Sequence, residues 1–184
     1  MLCSVSVYYA LSSDEGLIIK IKIHYHCTLK TLRPEGFRER AFEQAHRAFL
    51  KILFQPNRRL DLKGVQFITW NVVLCGAQRI IALNTQYRKI HKTTDVLSFP
   101  LFDSLRRGHH EHPLPSILAL GDIYICVPVA KKQAKHFDIS LEQEILHLYT
   151  HGLLHLLGFD HEISRVEEKL MQRLEDQTMG MIYP

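Results

Sequence analysis

Three histidines at offsets of four and then six residues, in His151-Gly152-Leu153-Leu154-His155-Leu156-Leu157-Gly158-Phe159-Asp160-His161, constrain this chain more than any other feature. Four residues carry a helix just past one revolution, so His151 and His155 stand on one face a turn apart and can aim imidazole nitrogens at a common point. Gly158 reads as the helix stop. Glycine at a C-terminal cap takes a left-handed conformation, and the reversed chain can return His161 toward the same point. Three nitrogens with a fourth position open describe catalytic zinc, whereas structural zinc is usually closed by four ligands, commonly including Cys. The alternative, ordinary helix histidines, fits poorly: Leu141 to Leu157 is apolar on most sides, and a hydrocarbon core offers imidazoles no polar partners. Ser140 followed by Gln143 makes a capping box, which fixes where this helix begins and so the register of its histidines. His147, one turn before His151 on the same face, reads as a neighbour of the metal, a phosphate contact, or a packed, hydrogen-bonded histidine.

The rest of the chain reads as scaffold. With 184 residues and 46% hydrophobic content it suffices for one well-buried core and is too short for two comfortable domains. Residues 1–16 are expected to be a disordered or loosely packed extension, and 17–184 the single domain. That extension lacks a basic n-region, and Ser12-Ser13-Asp14-Glu15 interrupts its apolar run, which argues against a signal peptide or a membrane span. Cys3, Cys27, Cys75 and Cys126 are widely spaced without a zinc-type cluster, as suits free thiols in the cytoplasm. A net charge of +4 is compatible with a nucleic-acid partner but is weak support alone.

Four strands are expected. Leu17 to Cys27 alternates Ile19, Ile21, Ile23 and Tyr25 against Lys20, Lys22, His24 and His26; Val65 to Leu74, Thr94 to Phe99 and Leu120 to Val127 supply the others. Helices are expected from Pro34 to about Leu53, from Ala77 to Arg88 with Ile80, Leu83 and Tyr87 inward, from Pro128 with Lys131, Lys132 and Lys135 outward, through the histidines, and from Ile163 to Met179 with Val166, Leu170 and Leu174 inward. Between them, Asp103 to Ser116 reads as a mobile loop, and its His109-His110-Glu111-His112 cluster as solvated.

At this point the sequence resembles a known family. The run at 151–161 is similar to the signature of the YbeY family, single-domain metal-dependent endoribonucleases of ribosomal RNA maturation. Asn84-Thr85-Gln86-Tyr87-Arg88, then Thr94-Asp95-Val96-Leu97-Ser98-Phe99-Pro100, then Leu120-Gly121-Asp122-Ile123 match its other motifs in the same order, so the likeness runs from about residue 65 onward. Thr93 stands where the family usually has Pro and His91 where it often has Asp, which bears on the rigidity of that turn. The resemblance implies one α+β domain of the zincin-like sort, a four-stranded mixed sheet packed with about five helices. It further implies one Zn2+ on His151, His155 and His161, and cytoplasmic action on ribosomal RNA of the small subunit, at its 3′ end, with a part in ribosome quality control.

A metal on three neutral imidazoles keeps its full charge, and can lower the pKa of a bound water from about 15.7 to about 7. Phosphodiester cleavage also needs a cation at the non-bridging oxygens, for which Arg is suited by its planar, permanent charge. Arg88 occupies the position where the resemblance implies a functional arginine facing the metal cleft. Asp160 is a candidate to orient a ligand imidazole, and Asp95 and Ser98 are further site candidates.

Two other readings remain open. The histidine and glycine spacing is also that of the metzincin proteases, His-Glu-x-x-His-x-x-Gly-x-x-His, but Gly152 stands where their catalytic Glu would be. On the ribonuclease reading, by contrast, Gly152→Glu is expected to impair RNA binding by placing a carboxylate where phosphates approach the metal. The second is a metal-stabilised ribosome assembly factor that binds without cutting.

Overall fold

The computed structural model describes residues 3–12, 18–28, 44, 45, 47, 48, 62–106 and 113–183. Its frame is a mixed sheet of five strands, β1 (Cys3–Ser12), β2 (Ile18–Cys27), β3 (Phe67–Cys75), β4 (Val96–Pro100) and β5 (Ile117–Cys126), in the spatial order β1-β2-β3-β5-β4. β2, β3 and β5 run parallel, and an antiparallel strand closes each side. The fold is α+β as expected, with one correction: the segment taken for a loose extension supplies a fifth strand. β1 pairs along its whole length with β2, from Cys3 opposite Cys27 to Ser12 opposite Ile18. An apolar-polar alternation, Val5, Val7, Tyr9 and Leu11 against Ser4 and Ser6, is a strand signal that outweighed the polar break after it.

Alternation decides which face of the sheet is buried. Ile21 and Ile23 of β2, Ile68, Trp70, Val72 and Leu74 of β3, and Leu118, Leu120, Ile123 and Ile125 of β5 all point into one core. On β5 the buried parity switches between Leu120 and Ile123, because the β3–β5 register slips between Thr69 and Asn71. Gly121 sits at this irregularity with φ +133°, and a Cβ there would collide with the Phe99 carbonyl oxygen. Only glycine fits. Asp122, beside it, accepts a 2.6 Å hydrogen bond from Asn71 Nδ2 across the slip.

Four helices are described, α1 (Ala77–Arg88), α2 (Val127–His136), α3 (Leu141–Leu156) and α4 (Arg165–Ile182). Of the helix expected from Pro34, residues 44, 45, 47 and 48 are helical, with Ala45 and Ala48 buried, and the remainder lies outside the described residues. α3 is the hub, packed against β4, β5, α2 and α4. It buries Ile145, Leu146, Leu148, Tyr149, Leu153, Leu154 and Leu156. At roughly 1.5–3 kcal/mol per large apolar side chain, this burial far exceeds helix propensity as the reason α3 holds its place.

Two helical faces differ from the sequence expectation. In α1, Ile80 and Leu83 are buried, but Tyr87 is 59% exposed and rests edge-on against Phe99, ring centroids 4.9 Å apart. In α4, Val166 is 74% exposed while Met171 and Leu174 are buried, so the inward stripe starts a turn later than periodicity implied. The first turn of α4 leaves Val166 facing solvent. No helix among the described residues is long and apolar enough to cross a membrane.

Candidate metal centre

Local chemistry sets the ends of α3. Ser140 Oγ accepts from the Gln143 backbone N–H at 3.1 Å while Gln143 Oε1 accepts from the Ser140 N–H at 2.8 Å, the reciprocal capping box expected. At the other end the Phe159 N–H reaches the Leu154 carbonyl and the Gly158 N–H reaches that of His155, both at 3.0 Å, a Schellman closure. Gly158 has φ +88°, and a Cβ there would press on Ser104, 2.5 Å from its Cα and closer still to its Oγ. The left-handed turn anticipated at this glycine is present and is sterically enforced.

The turn returns His161 to the helix face. Ring centroids lie 4.8 Å apart for His151 and His155, and 5.2 Å from each of them to His161. One ligand atom from each of the three falls within 4.8 Å of the others, and among the described residues this is the one group with metal-holding geometry. The Nε2 atoms of His151 and His155 are 3.2 Å apart. Nitrogens so spaced and each about 2.0–2.1 Å from a shared ion subtend about 100°, close to tetrahedral. The donor set thus fits a divalent metal. Burial first, then the neighbouring His151 and His161, pushes the His155 imidazole down to about 4, so it is neutral and able to ligate at physiological pH.

The carboxylate aligned on a ligand histidine is a different one from that expected. Asp160 Oδ1 accepts from the Glu162 backbone N–H at 2.9 Å, which closes the turn that presents His161 rather than orienting a ring. The partner of His151 is Glu175 on α4: its Oε1 lies 2.8 Å from His151 Nδ1 and its Oε2 3.6 Å from His147 Nε2. Burial alone would raise this carboxyl, but the bonds from His147 and His151 outweigh it and hold it at about 2. His147, in turn, is raised by Glu175.

Arg88, the last residue of α1, reaches the same end of the molecule: its guanidinium is 3.9 Å from Glu162, next to His161, with half of the side chain exposed. The turn that follows is firm despite Thr93 and His91. Lys89 is left-handed, Asn84 Nδ2 donates to the Lys92 carbonyl at 2.9 Å, and Thr85 Oγ1 lies 3.1 Å from His91 Nδ1. Ser98 Oγ donates to the Gly152 carbonyl at 3.1 Å, tying β4 to α3 beside His151. Asp95 is drawn elsewhere. Its carboxylate accepts from Gln133 Nε2, the Val96 N–H and Thr94 Oγ1, which outweigh burial and lower its pKa, so it ties β4 to α2.

Gly152 is wedged against the sheet. A Cβ there would lie 2.8 Å from Ile123 Cγ2 and 3.0 Å from Ser98 Oγ. The expected effect of Gly152→Glu is therefore corrected: a glutamate would strike β4 and β5 before it could reach a phosphate path.

Residues 35–182 match the family described as Endoribonuclease YbeY. The chain belongs to the YbeY family. Proteins named Endoribonuclease YbeY are 33% identical over 126 residues in Thermodesulfovibrio yellowstonii (68% of this chain, 74% of the relative) and 41% over 112 in Caldicellulosiruptor saccharolyticus (59% and 70%). The one from Aquifex aeolicus is 37% identical over 123 residues (67% and 76%). Among solved structures, the solution structure of TM1509 from Thermotoga maritima matches with TM-score 0.54 and 25% identity over 89% of each chain.

Sequence reasoning missed two residues of this YbeY chain. Glu175 lies fourteen positions past His161 on another helix, so no spacing rule marks it; only the inward stripe of α4, once correctly phased, places it near Leu174. Arg106 belongs to the stretch read as a mobile loop. Its described part is anchored: Leu105 is fully buried, Arg106 bonds Glu167 at 2.6 Å, and its guanidinium carbon sits 5.0 Å from the Phe159 ring centroid. The His109-His110-Glu111-His112 cluster lies outside the described residues.

Proposed function

We propose that this chain is a single-strand-specific, metal-dependent endoribonuclease that matures the 3′ end of small-subunit ribosomal RNA and serves ribosome quality control in the cytoplasm. The carrying observation is the convergence of His151, His155 and His161 within 4.8 Å, in a family whose relatives bear an endoribonuclease name. Zinc is the ion we assign, because three imidazoles and an open position suit it. When bound, it supplies a Lewis acid at the phosphodiester.

The protein's own contribution is placement and charge. His151 and His155 are held by a capped, buried helix, and His161 by a glycine turn. Arg88 swings from Glu162 to the non-bridging phosphate oxygens, where a fixed cation offsets the charge that develops. Ser98 keeps His151 at its height on the sheet through the Gly152 carbonyl. The zincin-like layout, with the ligand helix beneath a mixed sheet in one domain that takes in β1 as well, is supported by the main core cluster, which joins sheet, α3 and α4.

The packing at Gly152 weighs against the protease reading, because no general-base glutamate fits there. The test is cleavage of a small-subunit ribosomal RNA precursor by purified protein of measured metal content. Cleavage of single-stranded regions that chelation abolishes is expected. Stoichiometric metal without cleavage would overturn the enzyme reading in favour of an assembly factor, and metal-dependent hydrolysis of unstructured peptides would favour the protease.

A further inference from the structure

We propose that Glu175 is a positioning residue of the metal centre, which locks His151 in the one ring tautomer whose Nε2 lone pair faces the ion and ties His147 into the same array. The inference rests on the metal reading above. An ionised carboxylate only accepts, so at 2.8 Å from Glu175 Oε1 the His151 Nδ1 must carry the ring proton. In the neutral ring that leaves the lone pair on Nε2, and Nε2 is the atom that lies 3.2 Å from His155 Nε2. A free imidazole divides itself between two tautomers and rotates about its Cβ; this one is denied both freedoms.

The carboxylate is itself held. Its side chain is 12% exposed, and its second oxygen faces His147 Nε2 at 3.6 Å, one helical turn before His151. Glu175 follows buried Leu174, so its backbone is fixed by the α4 packing rather than by the site it serves. A mere tie between α3 and α4 would not need to meet the nitrogen opposite the ligating one. Partners of this kind fix ring orientation and raise ligand basicity, and their loss typically costs about 10–100-fold in metal affinity.

The test reads tautomer and affinity, not turnover. Long-range proton–nitrogen NMR of the metal-free wild type should show His151 as the Nδ1–H tautomer. Zinc affinity, measured by chelator competition, should fall about 10–100-fold in Glu175→Ala and largely recover in Glu175→Gln, whose amide oxygen still accepts from Nδ1–H. The exposed Glu168→Ala on the same helix should bind as wild type. An Nε2–H tautomer for His151 in the wild type would overturn the proposal without any variant having to fold. So would a zinc-binding wild type whose Glu175→Ala form binds equally tightly. A wild type with the expected tautomer that takes up no zinc would instead overturn the metal reading, and this role with it.

Discussion

The three histidines come from two unlike pieces of backbone. His151 and His155 ride on α3, whose start is capped by Ser140 and Gln143 and whose sides are sealed by the sheet and two helices. His161 rides on a short turn whose shape comes from Gly158, from the Asp160 carboxylate bonded to the Glu162 N–H, and from outside bracing by Ser104, Leu105 and Arg106. The first region is ordered by its own periodicity; the second is ordered by what leans on it. A site built this way has two rigidly spaced histidines and a third whose position depends on a distant segment. Changes in the two regions should therefore fail differently.

The largest effect is expected from the helix pair. His155→Ala removes the middle ligand, and we expect loss of most bound metal and of nuclease activity to background, measured by metal analysis and RNA cleavage. Stoichiometric metal in that variant would sink the triad. Next, Arg88→Ala approaches the turn side without touching a ligand. It should keep its metal and cleave RNA about 10²–10³-fold more slowly, as expected when one charge-stabilising group is lost. Wild-type rates would remove Arg88 from the mechanism.

A pair of glycine substitutions separates the two regions directly. Gly158→Ala forces a side chain into a left-handed backbone and against Ser104, which should cost about 1–3 kcal/mol in denaturant unfolding and also weaken metal binding by displacing His161. Gly152→Ala meets the Ile123 and Ser98 side chains instead; a comparable stability loss of about 1–3 kcal/mol from overpacking should leave metal stoichiometry intact. If both lost metal equally, the contrast between helix and turn would be wrong.

The smallest effect is on pH. Burial and the neighbouring histidines push folded His155 down to about 4 from its ordinary 6.5, and the bonds from His147 and His151 outweigh burial to hold Glu175 at about 2 rather than 4.5. In both cases the unfolded chain binds more protons below the unfolded value, so each contribution is complete above it and is lost as pH falls through the folded one. His147 acts in the opposite sense, because its raised value adds stability below 6.5 that fades as pH rises. The metal-free protein should therefore lower its melting temperature on acidification from pH 6.5 toward 4, and His155→Gln should flatten that slope. A flat profile in the wild type would contradict the buried, crowded setting of His155.

What could be read in advance follows the same division. The α3 helix, its cap, the spacing of its histidine pair and the glycine stop are legible because each rests on neighbours within a few residues, where periodicity and capping chemistry act. β1 was discounted because its pairing partner, not its composition alone, settles a strand at a sheet edge. Glu175 and Arg106 were not legible, since their meaning lies in contacts with elements far along the chain. Asp160 is suggested by its place beside His161 and Asp95 by the motif that holds it, but Asp160 accepts from the Glu162 backbone N–H and Asp95 from the Val96 N–H and from Gln133 on α2.

The 3.9 Å contact between Arg88 and Glu162 carries a consequence for substrate affinity. In the proposed mechanism Glu162 is a surrogate for phosphate, an internal anion beside the guanidinium that RNA must displace. Exposed pairs of this kind are worth about 0–1 kcal/mol, so the competition costs RNA no more than about fivefold in binding. Raising salt screens both partners of the exchange, and so shifts the enzyme's preference among RNAs less than its overall hold on them.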